Sequence, residues 1–176
     1  MKSDKWLIKK IVKKDSRLAS EELVRRYYDE LYYFLFRQIG KKEDTLDMTQ
    51  EVFISALNSL GTYDETRASF KTWLFQIGTY KVIDLRRKRK IQLEELADYH
   101  WVEEDNYLEV IANQELLKEI GDYIQQFSPL SQEVFRLKLY GELSFKEIAI
   151  LKDEEEEKIK AQYYRLLKKI RKEFTM

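Results

Sequence analysis

The sequence has no cysteine, a single proline and only five glycines. The absence of cysteine excludes disulfide bonds, thiolate metal sites and cysteine nucleophiles. Turn-rich and barrel folds need more proline and glycine than this, so the shortage favours an all-helical chain. No apolar run approaches the roughly 18 residues of a membrane span, and the N-terminus lacks an apolar signal core of about 7–15 residues. We therefore expect no membrane insertion and a location in the cytoplasm.

Positive and negative charge balance over the whole chain but not along it. Of 32 basic and 32 acidic residues, residues 1–90 carry 20 and 13, and residues 91–176 carry 12 and 19. A basic first half indicates a polyanionic partner, although solvated helices also gather charge by chance. The run 86–90 reads Arg-Arg-Lys-Arg-Lys, which exceeds what helix-end capping needs. It predicts contact with nucleic-acid phosphates.

Apolar residues recur at helical spacing through most of the chain. The expected helices cover residues 19–39, 43–60, 70 into the basic run, 111–127, 129–140, 145–152, and from the acidic run 153–157 to about residue 174. Residues that typically cap helices stand at these bounds, since Gly40 follows the first expected helix and Ser69 precedes the third. Ser128-Pro129 starts another helix, and Ser144 with Glu147 forms a capping box.

The acidic stretch 91–107 has no sustained period and is interpreted as part of a linker. We predict an all-α fold of two small helical domains joined by this acidic linker. The expected parts are a basic N-terminal arm at 1–17, domains at 18–90 and 111–176, and the linker at 91–110.

A short helix, a turn and a longer helix at 144–172 have the shape of a helix-turn-helix, whose second helix enters the major groove of DNA. The shape alone is a weak signal, because any helical bundle contains such pairs. Polar residues on the second helix have side chains suited to base edges or phosphates: Lys158, Lys160, Gln162, Tyr164, Arg165 and Lys168. An ordinary solvated face is the alternative interpretation.

Three carboxylates, Asp44, Asp47 and Glu51, fall on one face of the second expected helix. Aligned carboxylates can mark acid–base catalysis or a metal site, but neither histidine nor cysteine lies near them in the sequence. A protein-docking or solvated face is therefore expected. We predict no catalytic residue, no metal and no cofactor, and a protein that is not an enzyme.

Three motifs follow one another in order. They are Asp47, Gln50, Glu51 and Phe53; Ser69, Phe70, Trp73 and Leu74; and Ile83, Asp84, Arg86 and Arg87. This series resembles the sigma-2 domain of extracytoplasmic-function (ECF) sigma factors, group 4 of the sigma-70 family. The segment 141–149 is similar to the sigma-4 helix-turn-helix of the same family. Together the matches cover about residues 19–90 and 112–172.

The resemblance implies an alternative sigma factor, which binds core RNA polymerase and directs promoter recognition, melting and transcription initiation. It implies docking on the beta-prime clamp helices through Asp47, Gln50, Glu51 and Phe53, with a second contact at the beta flap. It also implies that the loop 58–69 and the helix after it recognise the minus-ten element, where a base leaves the stack at a cost of a few kcal/mol. The residues implied there are Asn58, Thr62, Tyr63, Arg67, Tyr80, Lys81, Asp84, Arg86, Arg87 and Arg89.

The helix at 158–168 would then read the minus-thirty-five element in duplex DNA, and an anti-sigma factor is a further implied partner. The sequence departs from the family pattern at 153–157, where a run of Asp and Glu replaces the usual turn glycine and the apolar residue after it. Carboxylates facing DNA repel phosphate, so minus-thirty-five reading is expected to be weak or to depend on tethering to polymerase.

Two alternatives stay open from the sequence. One is a sigma-like adaptor that binds polymerase but reads the minus-thirty-five element poorly. The other is a stand-alone helix-turn-helix regulator that binds DNA as a dimer. The basic arm is given no role beyond contact with DNA or a protein partner.

Overall fold

A computed structural model of the chain describes residues 3–95 and 108–174. Within those ranges the regular elements are α-helices and two short 3₁₀ helices. The α-helices are α1 (Asp4–Lys14), α2 (Arg17–Ile39), α3 (Lys42–Asn58), α4 (Phe70–Glu95), α5 (Leu108–Tyr123), α6 (Pro129–Leu139), α7 (Phe145–Lys152) and α8 (Glu156–Glu173). The predicted all-α fold is confirmed. In the described ranges, no helix combines the length and apolar character that a bilayer span requires.

Local capping chemistry sets several helix ends where the sequence predicts them. Gly40 ends α2 with φ of 76°, in the left-handed region that glycine enters without steric cost. Ser69 Oγ accepts a hydrogen bond of 3.1 Å from the Thr72 amide at the start of α4. At α7 both bonds of the capping box form, because Ser144 Oγ accepts from the Glu147 amide and the Glu147 carboxylate accepts from the Ser144 amide.

The basic arm folds as α1, which is not among the helices expected from the sequence. Ser3 caps it by accepting from the Trp6 amide, and Leu7 packs inward with 1% of its surface exposed. Ile8 and Ile11 lie against the same core. The serine cap and this apolar spacing were present in the sequence, but the lysines between them obscured the pattern.

Helix also extends into both ends of the stretch predicted as a linker. α4 continues to Glu95, and α5 begins at Leu108. Residues 96–107, the middle of that predicted linker, lie outside the described residues.

The first four helices form a bundle in which α2 contacts the other three. Leu31, Leu35 and Leu74 are fully buried at its centre, and each buried leucine contributes about 2 kcal/mol through the removal of apolar surface from water. The rings of Phe34 and Phe75 stack at 4.4 Å between centroids. A Cβ at Gly78 would lie 3.2 Å from Phe34 Cε1, so the glycine permits the close approach of α4 to α2.

The helices α6, α7 and α8 form a second, smaller packing unit. Its buried side chains include Val134, Ile148 and Ile159. The two units do not stand apart, because α4 of the first packs directly on α6 of the second and α5 contacts α2. Their buried apolar residues therefore form one continuous core.

Candidate nucleic-acid interface

α3 presents a polar face to solvent and an apolar face to the bundle. Asp47, Gln50 and Glu51 are exposed, whereas Val52 and Phe53 are buried. The Phe53 ring lies nearly parallel to that of Tyr28, with 6.2 Å between centroids. The structure thus brings the three polar residues of the predicted docking motif together on the surface and places Phe53 in the core beneath them.

Basic residues of α4 border the acidic face of α3. Lys81 Nζ lies 3.4 Å from Glu51 Oε2, and Arg89 forms an ion pair with Asp44. The side chains of these pairs are partly exposed, and ion pairs at the surface contribute only about 0–1 kcal/mol each. They mark the line along which the acidic face of α3 meets the basic face of α4.

The loop between α3 and α4 carries several of the residues predicted to contact the minus-ten element. Asn58, Thr62 and Arg67 are exposed there. Tyr63 instead turns inward, where its hydroxyl donates to the Ala68 carbonyl at 2.9 Å and its ring packs on Trp73. Burial, with negative charge nearby, raises the pKa of Tyr63. The Tyr63 ring therefore supports the loop from its buried side.

A turn at Asp64 fixes the tip of this loop. The Asp64 carboxylate accepts from the amide and the hydroxyl of Thr66, at 2.9 and 2.7 Å. These hydrogen bonds from Thr66 lower the pKa of Asp64. The loop is consequently preorganised, which reduces the entropy that a bound strand would otherwise have to offset.

The cations of α4 differ in their environments. Arg87 is exposed and lies 3.0 Å from Asp84 of the same helix, and Arg89 reaches Asp44. Arg86 faces the other way, with 12% of its side chain exposed. Of these predicted minus-ten residues, Arg87 and Arg89 keep their charge at the surface and Arg86 points into the protein.

Arg86 belongs to a polar cluster between the two packing units, which we call the seam and define as Gln38, Arg86, Asp122 and Arg136. Arg86 donates to the Gln38 carbonyl at 2.7 Å and to Asp122 Oδ1 at 3.0 Å. Arg136 Nη1 donates to Gln38 Oε1 at 3.2 Å. Gln38 thereby accepts hydrogen bonds from both arginines, one on its backbone and one on its side chain.

Arg136 is the most deeply placed cation of the seam. Its side chain is fully buried, and among the described residues its Nε and Nη2 atoms have no hydrogen-bond partner. Burial lowers its pKa, and the positive charge of Arg86 adds to that effect. A buried guanidinium with one hydrogen bond is costly. Helical periodicity does not predict this burial, because it assigns an arginine to the surface.

A second contact between the units joins Tyr80 of α4 to Lys152 of α7. Lys152 Nζ donates to the Tyr80 hydroxyl at 2.8 Å and also pairs with Glu133. Burial opposes the charge on Lys152, but the hydrogen bonds to Glu133 and Tyr80 outweigh it and raise its pKa. Nearby, the 65–69 part of the loop and α7 line opposite sides of a shallow groove. The second unit therefore lies against part of the predicted minus-ten surface.

α7 and α8 adopt the helix-turn-helix arrangement, with Asp153 in the turn at φ of 56°. The family pattern has glycine here, and aspartate is among the residues that tolerate this left-handed conformation. The acidic residues that follow pair with lysines of α8: Lys158 Nζ lies 2.6 Å from Glu154, and Lys160 Nζ lies 2.7 Å from Glu156. The positive charge of the first turns of α8 is therefore largely compensated.

The other predicted residues of α8 have different settings. Gln162 Oε1 accepts from Ser131 Oγ at 2.9 Å, so this amide is used within the protein. Tyr164, Arg165 and Lys168 are exposed. The part of α8 most available to a polyanion thus begins at Tyr164, about two turns after the helix start.

The family model described as Sigma-70 region 2 matches residues 23–91. The chain is similar to the ECF RNA polymerase sigma factor SigX of Bacillus subtilis, with 32% identity over 85% of this chain and 80% of SigX. It is 31% identical to the ECF RNA polymerase sigma factor BldN of Streptomyces coelicolor, over 85% of this chain and 58% of BldN.

Solved structures share the fold over nearly the whole chain. CnrH, in complex with the cytosolic domain of CnrY, superposes with a TM-score of 0.62 at 22% identity, covering 98% of this chain and 97% of CnrH. The sigma factor RpoE, in complex with the anti-sigma factor NepR from Bartonella quintana, gives a TM-score of 0.57 at 16% identity, covering 89% and 96%.

Proposed function

The chain belongs to the ECF RNA polymerase sigma factors, which act in transcription initiation, and from this membership we propose which of its surfaces bind polymerase and promoter DNA. The polymerase contact is the exposed face of α3 formed by Asp47, Gln50 and Glu51. The observation that carries this assignment is their grouping on one exposed helix face whose opposite face, with Phe53, is locked in the core. Phe53 then acts by fixing the position of α3, and the clamp helices of the beta-prime subunit are the expected partner.

The minus-ten element is assigned to the loop 58–69 and the exposed side of α4. Asn58, Thr62 and Arg67 supply hydrogen-bonding groups at the surface of a preorganised loop. Arg87 and Arg89 supply positive charge to the DNA strand beyond the part that the loop binds. Arg86 forms hydrogen bonds within the seam, and it can contact DNA only when its hydrogen bond to Asp122 breaks.

The minus-thirty-five element is assigned to α8, with Tyr164, Arg165 and Lys168 as the main contacts. Lys158 and Lys160 contribute less, since Glu154 and Glu156 already compensate their charge. Duplex binding by the isolated protein is therefore weak, and polymerase supplies the remaining affinity by holding α8 near the DNA, including through the beta flap. An anti-sigma partner is part of this proposal, on the basis of the shared fold with RpoE, which NepR holds.

The test is run-off transcription on a library of upstream regions, with core polymerase alone, with the wild-type chain, and with the triple variant Asp47→Ala/Gln50→Ala/Glu51→Ala. We expect discrete new start sites with the wild type, each preceded by a shared two-block element, and none with the triple variant. The matched control is Asp29→Ala/Glu119→Ala/Gln126→Ala, which removes the same three kinds of side chain from other exposed positions and should transcribe like wild type. Transcription by the triple variant at the level of the wild type would refute the assignment.

A second candidate function is favoured by one observation, the ion pairs of the acidic turn with Lys158 and Lys160. A sigma-like adaptor would bind core through α3 without directing initiation from a two-block element. A wild-type chain that binds core in a pull-down but yields no new start site would favour the adaptor.

A further inference from the structure

The exposed side of α1 is a row of cations that no part of the proposed function uses. Lys9, Lys13 and Lys14 are exposed, and Lys10 is partly exposed with its Nζ 5.2 Å from the centre of the Trp6 ring. Within the described ranges, none of these four lysines forms an ion pair. Trp6 and the four lysines line one continuous shallow groove along the helix.

The single acidic residue of α1 does not compensate the positive charge of the lysine row. Asp4 turns toward α2, where its carboxylate lies 2.6 Å from Arg26 Nη1 and accepts from the Tyr27 hydroxyl. It is thus compensated at the start of the helix, about a turn before the lysine row begins. The exposed side of α1 from Lys9 onward presents only positive charge.

The position of α1 links this row to the proposed minus-ten surface. Lys5 Nζ lies 2.5 Å from Glu65 Oε1, in the loop assigned to the minus-ten element. α1 also packs beside the 3₁₀ helix Leu60–Thr62 that begins the loop. A strand held by the loop therefore passes within reach of α1.

We propose that α1 binds the phosphate backbone of promoter DNA next to the minus-ten element through Lys9, Lys10, Lys13 and Lys14. The spacing suits this role: Lys9 and Lys13 are separated by about 6 Å along the helix axis, close to the rise of two nucleotides at about 3.4 Å each. The contact is independent of sequence, because lysines on phosphates position DNA without reading bases. This inference rests on the proposed function for the placement of DNA, although the charge row itself does not.

An anionic membrane surface is the competing polyanion, and the packing of α1 argues against it. Helices that lie in a bilayer interface insert an apolar face. In α1 that face is Leu7, Ile8 and Ile11, which already pack on the protein core. The side that remains carries the lysines and two exposed apolar side chains, Trp6 and Val12, which are too few to form the apolar face of an interfacial helix.

The test compares the complete chain with Lys9→Gln/Lys13→Gln, by fluorescence anisotropy of a labelled 24-base-pair duplex between 50 and 200 mM KCl. Removing two phosphate contacts should make the slope of log K against log salt shallower by about 1.8, so that wild type loses about twelvefold more affinity than the variant over that range. The matched control Lys118→Gln/Lys146→Gln removes two exposed lysines elsewhere and should keep the wild-type slope. Lys9→Arg/Lys13→Arg should restore the slope, which separates charge from any folding effect.

An unchanged slope for Lys9→Gln/Lys13→Gln, or equal changes in both glutamine variants, overturns the inference. So does a variant that loses binding to vesicles of phosphatidylcholine and phosphatidylserine while it keeps its DNA slope. The proposed function fails separately, by the absence of new start sites with wild-type protein and core polymerase. If start sites form and the slope is unchanged, only the role of α1 is lost.

Discussion

Substitution of Gly121 by alanine should destabilise the protein, against the usual effect of that change inside a helix. Gly121 lies within α5, where alanine is favoured over glycine by about 1 kcal/mol. A Cβ at this position, however, would lie 2.5 Å from Arg86 Nη1 and 2.6 Å from Arg86 Cζ. The guanidinium must therefore leave its place over the glycine.

The cost follows from the bonds that Arg86 makes. Its displacement breaks the hydrogen bond to the Gln38 carbonyl at 2.7 Å and the one to Asp122 at 3.0 Å. Hydrogen bonds to charged groups contribute about 1.5–3 kcal/mol when they are buried. Because Asp122 is exposed, its hydrogen bond with Arg86 contributes an amount at or below the lower end of this range. Set against the gain in helix propensity, we expect a net loss of about 1–2 kcal/mol for Gly121→Ala, and a fall in melting temperature of about 2–8 °C for a chain of this size.

A double-mutant cycle with Arg86→Ala isolates this cause. Once Arg86 is removed, the space over residue 121 is open, and Gly121→Ala should stabilise the protein by about 1 kcal/mol through helix propensity. The assay is urea unfolding of wild type, the two single variants and the double variant, followed by circular dichroism. A Gly121→Ala effect of the same sign in both backgrounds would refute the assigned role of Arg86 in the seam.

Three further predictions concern other residues. Arg136→Met should raise the free energy of unfolding by about 1–3 kcal/mol, since it removes a buried and mostly unpartnered guanidinium while keeping volume; a destabilised variant in urea unfolding would contradict this. Hydrogen bonds from Ser144 lower the pKa of Glu147, so its stabilising contribution is present above the unfolded pKa near 4.5 and is lost as the pH falls through the lower folded value. Glu147→Gln should therefore lessen the decline in stability between about pH 5 and pH 3, measured by melting temperature across that range, and an unaltered decline would count against it. Glu154→Gln/Glu156→Gln should free Lys158 and Lys160 and tighten binding to duplex DNA, with a salt slope steeper by up to about 1.8 in anisotropy; unchanged affinity would show that α8 does not face DNA.

The sequence was sufficient for features that depend on neighbours along the chain. The ends of α2 and α7 follow from Gly40 and from the Ser144–Glu147 box, which act within a few residues of themselves. The series of motifs around Asp47 also identifies the family without reference to the fold. Such features are local, so their chemistry is visible in a short stretch of sequence.

The seam could not be predicted from the sequence, because it joins residues far apart in the chain. Gln38 and Arg136 are 98 positions apart, and nothing near either residue signals the other. Periodicity also treats every arginine as solvated, so the burial of Arg136 and the inward turn of Arg86 became visible only in three dimensions. The ion pairs of α8 are the opposite case, because Glu154 and Glu156 each lie four residues before the lysine they pair with, a spacing from which helical pairing can be predicted.

Asp122 of α5 and Lys152 of α7, in the second packing unit, both contact α4, so helices that follow α4 in the chain compete with DNA for the proposed DNA-binding surface. Asp122 accepts a hydrogen bond from Arg86, and Lys152 donates one to the Tyr80 hydroxyl. DNA that uses either group must displace them, so its apparent dissociation constant increases in inverse proportion to the fraction of molecules in which the two units are apart. A protein that holds the second unit elsewhere removes this competitor and tightens DNA binding at α4 without contacting that helix. Polymerase and promoter would then bind cooperatively through an equilibrium that lies entirely within this chain.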